Sequence, residues 1–543
     1  MHRLLNDHPS YTPVTARPPH APAAQPSVAT VSKGELGIVL GVILATLVAL
    51  PLVGAGALWT RPLWMDELCT VFVSSHASLR EVIANIAAGG DWAPPALHVI
   101  VWSARRLAGT LSPILLRSIS LACVSLALLA LYATLRRRVG TVASAIGVLA
   151  FAGHPLVIAH AFEARPYGPW LLFSAAYAWS LGLDAGAPSR RRDVWQAVLS
   201  VLLTTVHWFG VLSLGLMAAA AFVTKGRGFR AGARLVAPSV AGLVALAVCV
   251  PMVFTQRAAA SGLLWVKELH WAQISAMLRL YWAGIPVILA LILVWRDGLR
   301  PDGLWPAMRA RMKSVFSDPA YAALLSLALM PVVLIVVSVV VQPSMVDRYG
   351  IVSVLAWAPL VAFAVDSLPR EARAAVGATM FGIAMYFGVK TVQDKREYAE
   401  KIHASQRVFE EARAMHVPVV FQYMHLIYPV AGPQRSPTLE ARFLDIPDST
   451  LHALYPSDRL EWLRRQFRLE RSQARLHANI YGFPILATQA QLENTPRFLL
   501  LATDLQLPGG YKQANKWGAA VFPNHEVVRL NDVLTLFVRK TAP

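Results

Sequence analysis

The chain has 543 residues, of which 56% are hydrophobic and only 15% charged, with a formal net charge of +19. Soluble globular chains carry about a quarter charged residues, so this composition excludes an ordinary soluble enzyme, and apolar blocks near the 20-residue length that crosses a bilayer predict a polytopic α-helical membrane protein. Cys69, Cys123 and Cys249 are the only cysteines, which leaves no disulfide framework and no Cys-rich metal centre.

Residues 1–35 are rich in Pro, Ala, Ser and Thr without apolar periodicity, and read as a disordered cytoplasmic tail. The first apolar block, 36–59, starts too late and runs too long for a signal-peptide core, so it reads as a retained first span. Further spans are expected near 113–135, 141–160, 168–184, 194–208, 209–224, 235–254, 275–295, 320–341, 350–368 and 374–391, about eleven in all. The basic residues sit in alternate short loops, at Arg136–Arg138, Arg190–Arg192, 225–234, 296–313 and 370–373. That asymmetry puts the N-terminus in the cytoplasm and, with an odd number of spans, the C-terminal segment outside. The positive charge is therefore a topology signal, and no nucleic-acid partner is expected. The Ala- and Arg-rich composition fits a GC-rich bacterial genome and a multi-pass protein of the cytoplasmic (inner) membrane.

The first external loop spans 60–112. Its apolar stretch 96–107 covers only about 18 Å of a 30 Å hydrocarbon core, and reads as an amphipathic helix on the membrane surface. From 392 to 543 both charge signs and short apolar runs predict an extracytoplasmic α/β domain. Helices are expected at 394–415 and 456–475, and strands at 417–421, 497–502 and 533–538.

Charged groups at membrane depth are costly, so those at span ends carry the most information. Four external turns hold them: Asp66-Glu67; His160 through Glu163 and Arg165 to Tyr167; His207-Trp208-Phe209; and Asp347-Arg348-Tyr349. Each has a bland reading alone, with Asp66 capping a helix near 68–74, Glu163 neutralising Arg165, His207 solvated beside belt aromatics, and Asp347 pairing locally with Arg348. Taken together, they suit an anionic membrane-borne substrate, since arginines bind phosphate oxygens and a carboxylate accepts a proton.

The order and setting of Trp64-Met65-Asp66-Glu67, Pro94-Pro95-Ala96-Leu97-His98, Glu163-Ala164-Arg165-Pro166-Tyr167, Thr205-Val206-His207-Trp208-Phe209 and Asp347-Arg348-Tyr349 resemble the C-type glycosyltransferases (GT-C fold). The branch is that of the protein mannosyltransferases, the aminoarabinose transferase of lipid A and the RgtA/B/C/D-like enzymes, and the resemblance covers about residues 36–391. It implies a transmembrane catalytic domain that moves a sugar, with inversion, from a polyprenyl-phosphate donor to an extracytoplasmic lipid, polysaccharide or protein. By the same resemblance Asp66 is the catalytic carboxylate, a general base or, where the acceptor is itself a phosphate, only a positioning group, and Glu67 is its neighbour. Arg165 and Arg348 face the leaving phosphate, and Glu163, Tyr167, His207, Tyr349 and His98 complete the substrate-binding set. Relatives often carry His-Pro-Pro-Leu where this chain has Ala93 before Pro94, so no cofactor or required divalent metal is expected, with His98, Glu67 and Asp91 the residues available for a weak metal site. The competing class is a flippase of a lipid-linked sugar, which typically places ionisable groups near mid-membrane and shows repeat symmetry between halves. Neither feature is present in the sequence.

Overall fold

A computed structural model describes residues 59, 61–183, 189–224, 228–259, 271, 274, 275, 277, 281, 317–341, 344–368, 370–414, 417–421, 441–445, 486–501, 522–529 and 534–540. Apart from Trp59, the expected tail and first span lie outside the described residues, as do most of 275–295 and all of 456–475.

Three short helices open the described chain: α1 (Met65–Ser74), α2 (Leu79–Ala87) and α3 (Ala96–Ala108). The last is the expected amphipathic helix. Proline precedes its first turn, Ala96, Leu97, His98 and Val101 form its buried side, and Gly109 (φ 80°) ends it in the left-handed conformation that glycine adopts without strain. Leu107 at its far end is 90% exposed.

The apolar bundle begins with α4 (Pro113–Leu135). Next, α5 (Thr141–Ala152) and α6 (Pro155–Ala161) form one expected span bent by 70° at Gly153-His154. Pro155 explains the bend: it holds His154 in the extended region and supplies no N–H to continue the ladder. There follow α7 (Tyr167–Leu181), α8 (Arg190–Val206), α9 (Gly210–Thr224), α10 (Phe229–Val236), α11 (Val240–Ala259), α12 (Pro319–Ser326) and α13 (Met330–Val340). A 3-10 helix over Asp347–Ala356 leads into α14 (Trp357–Asp366). Among the described residues, five helical stretches are long and apolar enough to cross a bilayer, or six with the bent pair. Valines 336, 339 and 340 of α13 are more than half exposed, an apolar outer surface suited to lipid. Close approach of α4 and α7 depends on Gly168, where a Cβ would lie 2.9 Å from the Ser120 carbonyl oxygen.

The 45-residue α15 (Arg370–Ala414) runs without a break through the expected domain boundary at 392. At 1.5 Å per residue it is about 68 Å long, twice a hydrocarbon core, so it carries its C-terminal half well past the span. Beyond it β1 (Val419–Phe421), β2 (Ala441–Asp445), β3 (Leu486–Thr488), the short α16 (Gln489–Glu493), β4 (Arg497–Leu501), β5 (His525–Arg529) and β6 (Leu534–Arg539) form one sheet in the order β3-β2-β1-β4-β6-β5. Its β3-β2-β1-β4 portion is parallel and its β4-β6-β5 portion antiparallel. Phe498 and Phe537 sit opposite each other in the β4/β6 register and stack at 4.8 Å. Val392, Ile402 and Phe409 of α15 belong to the same continuous apolar core as Val419, Leu499 and the bundle.

Candidate functional site

All four expected turns meet at one end of the bundle. Glu67 is their hub. Its side chain is fully buried, and Oε2 accepts from Arg61 Nη1 (3.0 Å), Arg117 Nη2 (3.2 Å) and the Trp64 N–H (3.2 Å). Oε1 accepts from the Ala164 N–H (3.1 Å), Arg117 Nε (3.3 Å) and Arg61 Nη2 (3.4 Å). Helix α1 begins at Met65, and the carboxylate that caps its first turn is Glu67 at the third position, not Asp66. The expectation paired Glu67 with Asp66 in catalysis. In the structure Glu67 has no exposed surface and both its oxygens saturated, and it ties α1 to α4 and to the turn at Ala164.

That arrangement leaves Asp66 facing outward from the first turn of α1. Its side chain keeps 30% exposure, and the cation nearest to it is Arg348, with Nη2 3.8 Å from Oδ2. Burial raises the Asp66 carboxyl above the ordinary range even though Arg165 and Arg348 pull the other way.

Arg165 reaches the same place from the turn after α6. Nη1 donates to the Asp66 carbonyl oxygen (2.9 Å), to Thr70 Oγ1 (3.2 Å) and to Asp91 Oδ2 (2.7 Å), and Nη2 lies 3.3 Å from Asp91 Oδ1. Its Nε is buried without a partner among the described residues. Burial works against the Asp91 charge, but Arg165 and then His98 outweigh it and hold the carboxyl well below its ordinary value. His98, expected to bind substrate, is fully buried behind Asp91, with Nε2 3.3 Å from Oδ2 and Nδ1 3.4 Å from Ser74 Oγ. It therefore supports Asp91 from behind. From α11, Gln256 Nε2 donates to the carbonyl oxygens of Asp91 (3.1 Å) and Ile86 (3.0 Å), pinning the loop.

Glu163 is likewise enclosed. His160 Nδ1 and Lys395 Nζ each lie 2.6 Å from one of its oxygens, while Ser120 Oγ donates to its carbonyl oxygen. Burial opposes its charge, and His160 and Lys395 overcome that to hold it well below the carboxylate range. Lys395 comes from α15, so the long helix beyond the expected boundary contributes to the site.

The remaining wall is aromatic. His207, between α8 and α9, stacks on Trp170 at 4.1 Å and 6°, with Tyr349 at 5.5 Å and Tyr167 at 6.0 Å. Its Nδ1 accepts the Phe209 N–H (3.2 Å), so the neutral ring carries its proton on Nε2. Burial, reinforced by Arg165 and Arg348, lowers its pKa to about 3. The Arg348 guanidinium lies over Trp64 (5.8 Å) and Tyr349 (5.9 Å). Asp347 is exposed and accepts the Arg348 N–H at 2.7 Å, a local cap outside the cluster.

All nine expected site residues thus join one network. Arg61, Arg117, Trp170 and Lys395 also belong to it and were not singled out, and His160, named only as part of its turn, joins it through Glu163. Arg117 had a usable signal, a lone guanidinium inside an apolar span. Lys395 had none, because it sits in an ordinary charged stretch. Among the described residues no three His, Cys, Asp or Glu side chains gather as metal ligands, and the trio His98, Glu67 and Asp91 does not assemble because guanidinium groups enclose Glu67.

No protein-family model and no curated protein sequence matches the chain. Among solved structures it is similar to ArnT from Cupriavidus metallidurans in the apo state, at 13% identity over 94% of this chain and 98% of that one, with a TM-score of 0.56. It is also similar to ArnT from the same organism bound to undecaprenyl phosphate, at 14% identity over 92% and 98% of the two chains and a TM-score of 0.54. The bent apolar bundle with its charged turns at one end is the fold of the C-type glycosyltransferases.

Proposed function

We propose that the chain is an inverting membrane glycosyltransferase that moves a sugar from a polyprenyl-phosphate donor to a hydroxyl-bearing acceptor outside the cytoplasmic membrane. One observation carries this reading: of the four carboxylates in the cluster, Asp66 keeps 30% side-chain exposure while Glu67, Asp91 and Glu163 keep 5% or less. Three carboxylates build the site and one faces outward to act.

Asp66 removes the acceptor hydroxyl proton as the acceptor oxygen bonds to the anomeric carbon. The bond from that carbon to the phosphate oxygen breaks, its electron pair stays with the phosphate, and the lipid phosphate leaves. Arg348, with the Nε edge of Arg165, stabilises the charge that develops there, and His207 Nε2–H and Tyr349 are the neutral donors beside them. Glu67 serves as an anchor. Likeness to a fold that has been crystallised with undecaprenyl phosphate supports the donor class. The N-terminus is assigned to the cytoplasm of a bacterial cell, and the cluster and C-terminal sheet to the outer side of its inner membrane.

The test gives purified protein in nanodiscs a panel of polyprenyl-phosphate sugars and nucleotide sugars, with sugar loss followed for wild type and Asp66→Asn. Consumption of a polyprenyl-phosphate sugar, reduced by about 10²–10⁴ in the variant with donor binding retained, is expected. Movement of the donor across the bilayer without consumption would transfer the reading to a flippase.

A further inference from the structure

We propose that Asp91 is a positioning residue whose pairing with Arg165 lets that arginine brace Asp66 without depriving it of its basicity. The inference rests on the glycosyltransferase reading and adds a task for a residue outside the reacting set.

Arg165 places a guanidinium against the very residue that carries the base, 2.9 Å from the Asp66 carbonyl oxygen. A bare cation there would favour the carboxylate form of Asp66 and make it a poorer proton acceptor. Asp91 meets the same guanidinium through both oxygens, at 2.7 and 3.3 Å, on the end away from Nε. His98, seated on Ser74, and Gln256, holding the Asp91 backbone, fix that carboxylate from behind. A brace alone needs only hydrogen bonds. A brace beside a general base needs its charge cancelled as well, and Asp91 does this inside a site where screening by water is weak.

The charges facing Asp66 are Arg165 and Arg348 of one sign, Asp91 and Glu163 of the other. Glu67 lies between Arg61 and Arg117, and Lys395 of α15 is engaged by Glu163. Cys69, Tyr167, Tyr349 and Tyr398 are the neutral titratable groups within electrostatic reach. Removing Asp91 therefore leaves Arg165 uncompensated, while removing Arg165 leaves Asp91 uncompensated. The two changes displace Asp66 in opposite directions.

The experiment records the pH dependence of kcat for consumption of a polyprenyl-phosphate sugar by the full chain in nanodiscs. Asp91→Asn is expected to move the acid limb down by about 1–3 pH units, the effect of one nearby opposite charge, with a plateau roughly tenfold lower because the base is weaker. Asp91→Glu should keep the limb near wild type, and Asp91→Asn with Arg165→Gln should return it there. If Asp91→Asn does not assemble as a monodisperse protein, Arg165→Gln carries the test alone, and its limb should move up. A plateau that falls with the limb unmoved in either single variant would show a bracing role only and overturn the inference. Wild-type protein inert toward every donor would instead remove the reading beneath it.

Discussion

The two ends of the bundle treat charge differently. At the site end, Arg61, Arg117 and Glu67 are buried to within 1% of full enclosure and bond across elements up to a hundred residues apart in sequence. At the opposite end, Arg138 meets Asp318 with 33% of its side chain exposed, Arg192 meets its own neighbour Asp193, which is 43% exposed, and Arg373 donates to the carbonyl oxygens of Asp366 and Leu368. Enclosed ion pairs repay their desolvation only with good geometry and saturated hydrogen bonds, and apolar replacements of similar volume are often as stable. Their concentration at one end is thus poorly explained by stability. On the proposed reading it serves to hold Asp66 in place, a task the opposite end does not share.

The largest effect should come from breaking an enclosed pair. Arg117→Met leaves Glu67 with half its side-chain partners gone and should cost about 3–5 kcal/mol, read as a lowered Tm or lost monodispersity in detergent. Arg138→Met at the other end should cost less, about 1–3 kcal/mol, because the arginine is partly exposed and the buried Asp318 keeps the Ala320 N–H as a partner. Equal losses from the two would erase the contrast.

A smaller effect is expected where α15 meets the site. Lys395→Met removes one of the two side chains bonded to the Glu163 carboxylate and should cost about 1.5–3 kcal/mol, the range for a hydrogen bond to a charged group. Donor consumption should fall with it, because the Glu163 carbonyl oxygen accepts the Arg165 N–H at 2.8 Å and the turn moves as one piece. Lys395→Arg should recover most of both. An inert Lys395→Met would mean that α15 merely passes the site.

Much of this was legible in the sequence because spans and turns are local signals. The expected spans from 113 to 391, 275–295 apart, fall on helical segments, with 141–160 bent into two helices, 320–341 broken into two and 350–368 begun as 3-10 helix, and the strands at β1, β4 and β6 fall within a residue or two of expectation. The residue types of the site turns were legible too. What each turn residue does was not, because burial decides it: Asp66 and Glu67 are neighbours of like charge, and only the helical first turn separates an inward Glu67 from an outward Asp66. The burial of His98 behind Asp91 was hidden for the same reason. Strands β2, β3 and β5 escaped because strands of three to five residues in mixed polar sequence carry too little periodicity to read.

The smallest expected effect is an absence, and it separates the two kinds of site residue by pH. Asp91 and Glu163 are held below the ordinary carboxylate range, so the stability they contribute is fully present above their unfolded pKa values near 4 and is lost only as pH falls through their lower folded values. Asp66 is shifted the other way, so its acid limb in kcat should lie above about pH 4, where the enclosed pairs are still intact and the fold survives the measurement. His207, lowered to about 3, stays neutral through that whole range and keeps its Nε2 proton as a donor. His207→Gln should therefore lower the rate without changing the shape of the kcat profile from pH 5 to 8, where an unperturbed imidazole would titrate near 6.5. An inflection near 6.5 that vanishes in His207→Gln would place a titrating imidazole in the mechanism and remove His207 from the fixed aromatic wall.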